Sequence, residues 1–180
     1  MAGRDFRTRG RALDETLEQL HRAWRGEPTG GASKPICPSP VNEGRIPILI
    51  GGNSDNAIRR AATRGAGWTA GGGGPNMVAP MVERVRTAWK DAGREGEPRL
   101  AALVYYSLGA DAEADSRSYL RHYYGHLGEW AERMAEGALR SEPAIRDAVR
   151  TFDGIGITEF YLDPTVASLD QVDRLADLVL

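Results

Sequence analysis

The chain has 180 residues, 41% of them hydrophobic and 27% charged, with a formal net charge of -2 from 23 basic and 25 acidic side chains. That balance suits one soluble globular domain and excludes a disordered or collagen-like chain, as well as recruitment of nucleic acid or an anionic membrane by overall charge. The single cysteine, Cys37, can form no internal disulfide and no thiolate zinc site alone, and Met1–Gly10 lacks an apolar signal core, so a cytoplasmic location without a membrane anchor is expected.

Leu13, Leu17, Leu20 and Trp24 recur at spacings of three and four, which predicts an amphipathic helix from about Arg9 to Arg25, stopped by Gly26. Residues 27–45 mix four prolines with glycines and serines and read as an irregular loop. Ile46-Pro-Ile-Leu-Ile50 is a short, unalternating aliphatic run, the pattern of a strand covered on both faces in a parallel sheet. Gly51 and Gly52 end it. Asn53, Ser54 or Asp55 can cap a following helix whose apolar stripe is Ala57, Ile58, Ala61 and Ala62 and which Gly65 closes. The cycle repeats with a strand at Gly67–Ala70, a glycine loop to Pro75 and a helix over Met77–Ala92. Leu100–Leu108 reads as a third strand, followed by helices over 112–124, 129–139 and 142–151. Ile157–Leu162 reads as the fourth strand and Leu169–Leu180 as a closing helix.

Four strand-helix units in succession argue for right-handed parallel crossovers, hence an α/β sheet or part of a barrel, and periodicity does not choose between them. Either architecture puts chemistry at the carboxyl ends of strands, here 51–54, 69–74, 107–110 and 163–165. The strongest local signal is I-P-I-L-I-G-G-N-S-D-N-A. Its two glycines let a ligand approach the backbone, and the helix start offers unpaired N–H groups, an anion site suited to phosphate with the Ser54 hydroxyl as a further donor. The same residues equally permit a plain tight turn with Ser54 as a cap. Gly71–Gly74 either lines a ligand or is a mobile loop.

Other groups read as structural. His122, His126 and Glu129 have the spacing to hold a divalent metal on an unbroken helix, but Gly125 and Gly128 oppose such a helix, and a surface or interface role is expected. Arg4, Arg7, Arg9 and Arg11 read as a solvated helix start, and the tyrosines at 105, 106, 119, 123 and 124 as core and rim packing. No Ser, His and Asp grouping stands out as a triad.

Taken together, F-R-T-R-G-R-A-L-D-E-T-L-E-Q-L-H-R-A-W, the Gly51–Gly52 segment running on to G-A-G-W, and G-I-T-E-F-Y-L-D-P with D-Q-V-D-R-L-A resemble the bacterial luciferase-like monooxygenase family of flavin- or deazaflavin-dependent oxidoreductases. The likeness runs over nearly the whole chain in the family's order. Members are (β/α)8 barrels, so the resemblance implies a single truncated domain over 1–180, the carboxyl-terminal half of a TIM barrel with its strands as about the fifth to eighth. It also implies that Gly51, Gly52, Asn53 and Ser54 lie at the coenzyme phosphate, with Trp68 and Thr69 near the same pocket. The coenzyme would be FMN, alternatively a 5-deazaflavin, and the substrate a small organic molecule. The implied reaction is oxygen insertion with reduced FMN or hydride transfer from a reduced deazaflavin, the coenzyme carrying the hard chemistry.

The family's acid and base residues come from the first four strands, which have no counterpart here, so no catalytic residue is assigned. A catalytically inactive flavin-binding module or truncated remnant is therefore the second reading. Met1 falls where family chains are already in mid-fold, which implies an incorrect start site or a frameshift. Half a barrel also leaves edge strands and apolar faces needing cover, so a homodimer or a complementing half-barrel chain is expected.

Overall fold

In the computed structural model, which describes residues 5–42 and 46–179, the chain divides into a unit over 1–48 and another over 49–180. The first is a helix and a loop. Asp5 accepts from the Arg7 N–H at 2.9 Å and starts a 3-10 turn, Phe6–Thr8, that runs into α1, Arg9–Trp24. Gly26, at φ +78, closes α1, with the N–H of Glu27 reaching back to the Arg22 carbonyl, a left-handed turn that residues with a Cβ rarely adopt. Of the predicted stripe only Leu17 is fully buried, while Leu13 and Leu20 are exposed. An apolar stripe is covered only where another element packs on it, and residues 27–42 form no helix or strand. Residues 43–45, Arg4 of the basic cluster and Leu180 lie outside the described residues.

The second unit is built on a four-stranded sheet in the order β1-β2-β3-β4, every pair parallel. The strands are β1 Leu49–Gly51, β2 Gly67–Ala70, β3 Arg99–Tyr106 and β4 Glu159–Pro164. Their connections are helical, as parallel neighbours require: α2 Asp55–Arg64, α3 Pro75–Asp91, then α4 Ala112–Tyr123, α5 Glu129–Glu136 and α6 Glu142–Gly154, with α7 Leu169–Val179 after β4.

Element bounds depart from the sequence reading where backbone pairing decides them. β1 starts at Leu49, not Ile46, because its ladder runs only from Leu49 opposite Gly67 to Gly51 opposite Thr69, and Pro47 has no N–H to pair. As an edge strand of the described sheet it is not covered on both faces: Ile50 is buried, Leu49 half-buried and Gly51 exposed. β3 stops at Tyr106 and β4 occupies 159–164, since their shared register runs from Ala101 opposite Glu159 to Tyr106 opposite Pro164. The helix read over 129–139 ends at Glu136. Leu139 instead lies beside β3, donating its N–H to the Tyr105 carbonyl and accepting that of Ser107, each at 2.9 Å.

The register sorts the side chains into two faces. Even-numbered positions make the packed face, with Ile50, Trp68, Ala70, Leu100, Ala102 and Tyr106 buried and Phe160 stacked on Phe152 of α6 at 4.6 Å between ring centroids. On the odd-numbered face Ala101 is buried, Thr69, Leu103, Tyr105 and Asp163 are half-buried and Tyr161 is exposed. There Arg99 makes a two-pronged pair with Glu159 at 2.5 and 2.7 Å, joined by the Tyr161 hydroxyl at 3.1 Å. The guanidinium holds the Glu159 carboxyl below the usual carboxylate range.

β2 passes β3 so closely that a Cβ on Gly67 would collide with the Arg99 backbone. Gly67→Ala is expected to cost about 1–3 kcal/mol or more of unfolding free energy, the scale of an overpacked core. Gly71→Ala, whose Cβ meets open space, is expected to change it by less than about 0.5 kcal/mol. Urea denaturation of the two variants checks the contrast.

Candidate functional site

The carboxyl ends of β1 and β2 bring Gly52, Asn53 and Trp68 to one cavity of about 270 Å3, walled further by Gly71–Gly73, Met77 and Met81 of α3, and Trp130 of α5. Gly52 holds φ +107, and a Cβ there would lie 3.2 Å from that of Ala57, so the turn into α2 needs a bare, left-handed residue. Its carbonyl accepts from the indole N–H of Trp68 at 2.9 Å. Trp68 is 1% exposed, and this bond makes it a strut that sets the turn against β2.

Ser54 is the N-cap of α2. Its backbone is extended, its hydroxyl accepts from the Ala57 N–H at 3.3 Å, and its carbonyl accepts from the Ile58 N–H at 3.0 Å. Capping uses an oxygen lone pair and leaves the hydroxyl proton free to donate. The amides of Asp55 and Asn56, first in the helix, have no intrahelical acceptor. The Asp55 carboxylate at this end would repel an anion, but Arg84 of α3 pairs with it at 2.5 Å and also donates to the Asn53 carbonyl at 3.4 Å. The pair offsets that repulsion at the end of the helix where the positive pole of its dipole lies. Nothing in the sequence signals Arg84, which sits in an unremarkable helix 29 positions from Asp55. The packing of α3 beside α2 delivers it.

Gly51 and Thr69 face each other in the ladder, on the odd-numbered face, and do not line this cavity. A Cβ on Gly51 would touch the Thr69 methyl at an ordinary 3.6 Å, so a bare backbone is not required there. The six predicted residues therefore divide into a turn (Gly52, Asn53), a cap (Ser54), a strut (Trp68) and a neighbouring ladder pair (Gly51, Thr69).

The other two strand ends are tied into the frame. Buried Gln171 of α7 accepts the Leu108 N–H and donates to the Leu108 carbonyl, both at 2.8 Å. Thr165 donates its N–H and hydroxyl to the Tyr106 carbonyl at 2.9 and 3.2 Å. Tyr106 is fully buried, the Tyr105 and Tyr124 hydroxyls bond each other at 2.9 Å, and Tyr119 and Tyr123 stack in exposed positions. Burial pushes the Tyr105 phenol up and keeps it neutral. His122 ends in α4 whereas His126 lies in a separate 3-10 turn, Gly125–Leu127, so no continuous helix carries both.

A family model for luciferase-like monooxygenases matches residues 1–167. The chain belongs to that family. Uncharacterized proteins of Mycobacterium bovis and Mycobacterium tuberculosis are 34% identical to it over 101 residues, and this luciferase-like chain spans 34% of their length in that match, which takes in 52% of its own. Among solved structures, an F420-dependent secondary alcohol dehydrogenase in complex with an F420-acetone adduct superposes with a TM-score of 0.75 at 15% identity, over 98% of this chain and 62% of the other. A long-chain alkane monooxygenase does so with a TM-score of 0.70 at 16% identity, over 99% and 56%. These likenesses show the shared α/β fold of luciferase-like proteins. No helix among the described residues is long and apolar enough to cross a membrane.

Trp68→Phe removes the strut bond and keeps most of the buried ring. It is expected to lower stability by about 1 kcal/mol and to speed hydrogen exchange at the amides of Gly52–Ser54, which amide-resolved exchange measures.

Proposed function

We propose that this chain is the coenzyme-binding, carboxyl-terminal half of a luciferase-like oxidoreductase barrel, its strands standing as about the fifth to eighth. It would act with FMN, alternatively a 5-deazaflavin coenzyme, on a small organic substrate. The observation that carries the reading is the turn from β1 into α2. Gly52 is bare, the Ser54 hydroxyl has a proton to give, the first amides of α2 have no intrahelical acceptor, and Arg84 pairs with the Asp55 carboxylate. Those groups fit a coenzyme phosphate. Ser54 and the amides of Asp55 and Asn56 would hold its oxygens, Gly52 and Asn53 would let it close on the backbone, and Gly51 and Thr69 would stand beside it on the ladder. When bound, the coenzyme supplies the redox chemistry; these residues bind and orient its anionic end.

The second reading, a flavin-binding module without turnover, is favoured by the same composition. Among the described residues, the carboxylate at the turn is that of Asp55, and it is engaged by Arg84 rather than free. For either reading, the edges at β1 and β4 and the half-exposed odd-numbered face favour completion by a second copy or by a chain supplying the front half. A two-fold axis along the barrel would set β4 of one copy beside β1 of the other with all strands parallel.

Titration of the purified chain with FMN is expected to show binding in the micromolar range, weakened about tenfold in Ser54→Ala, the scale of one hydrogen bond to a charged group. Failure of the folded chain to bind either coenzyme would overturn the proposal, and substrate-dependent turnover separates the enzyme from the module. Sedimentation is expected to show a dimer; a well-folded monomer at micromolar concentration counts against barrel completion by self-pairing.

A further inference from the structure

A second cavity of about 490 Å3 adjoins the first, sharing Gly72, Gly73, Met77 and Trp130 in its lining. It has a structural cause. β2 ends at Ala70, opposite Ala102, and the place it would occupy along β3 is not filled again until Leu139 pairs beside Tyr106. The gap lies along Leu103–Tyr105, and Gly72 contributes no side chain to close it; a Cβ there would run into the tip of Met134. The volume falls within the roughly 300–1,000 Å3 of small-molecule sites. The wall formed by α5 is fixed from outside, where Glu132 pairs with Arg117 at 2.6 Å and Arg121 at 2.7 Å.

The chamber is apolar apart from a few groups, most of them engaged. The Tyr105 hydroxyl is bonded to Tyr124, and Asp147 carries Arg150 at 3.3 Å. Arg133 is different. It is exposed at the mouth, lies 5.9 Å from the Trp130 ring centroid, and makes no ion pair with a described residue. A guanidinium fork beside an aromatic wall is the natural partner of a carboxylate.

We propose that this cavity binds an amphipathic organic acid, its carboxylate on Arg133 and its aliphatic or aromatic body in the chamber between β3, α5 and α6. As a substrate site it rests on the coenzyme reading above, because the two cavities adjoin; as a binding site it stands on the chamber and Arg133 alone.

Calorimetric titration of the full chain with decanoate, decanol and decylamine tests it. Decanoate is expected to bind best. Arg133→Gln is expected to weaken decanoate about tenfold or more, the scale of a charge-assisted bond, and to leave decanol unchanged. Ala148→Phe, which fills the chamber, is expected to abolish both. Decylamine binding as well as decanoate, indifference of decanoate to Arg133→Gln in a variant with an unaltered unfolding transition, or no decanoate binding by the folded parent chain would each overturn the inference. FMN titrated against the same proteins keeps the two proposals apart. Loss of FMN binding with decanoate intact removes the coenzyme reading and leaves this site, and the reverse removes this site alone.

Discussion

Neighbouring parallel strands cannot be joined by a tight turn, so each of the three strand pairings here needs a crossover, and each crossover is helical. That constraint organises everything else in the larger unit. It points all four strand carboxyl ends the same way and sets Gly52 and Asn53 beside the Gly71–Gly73 run. It also lays α3 alongside α2, which is how Arg84 reaches Asp55 and the Asn53 carbonyl. The closeness it demands is visible at Gly67, where the ladder leaves no room for a methyl group against Arg99.

The sheet has two unlike faces. Its even-numbered side is closed by helices and carries the large buried side chains, whereas the odd-numbered side holds the Arg99, Glu159 and Tyr161 row and stays half-open. An ion pair tolerates such partial exposure because water solvates what the partners do not, while an aliphatic row there would be unfavourable. This is the face that the proposed barrel completion would turn inward, with β1 and β4 as the strands awaiting neighbours.

The glycine run after β2 serves two spaces at once. Because Gly72 and Gly73 lack side chains, both the smaller cavity at the Gly52 turn and the larger chamber under α5 reach the same stretch of backbone. A ligand in one would thus be a near neighbour of a ligand in the other. That arrangement gives the coenzyme and substrate proposals a common geometry while leaving each dependent on different residues, Ser54 for one and Arg133 for the other.

What the amino-acid sequence determined by itself was local: the alternation of strands and helices, a cap for α2 among Asn53, Ser54 and Asp55, the stop at Gly26, and the family likeness carried by the segments around Gly51 and Gly156. Each is set by residues within a few positions of one another, through a cap's hydrogen bond, a glycine's left-handed turn or an apolar stripe at helical spacing. Tertiary structure alone decided where β1 and β4 begin, that Leu139 leaves its helix to pair with β3, that Arg84 pairs with Asp55, and that a chamber opens beside Leu103. Strand limits are fixed by the partner's backbone, and a cavity by where a distant strand stops. Both depend on contacts between residues far apart in the chain, and no local pattern records them.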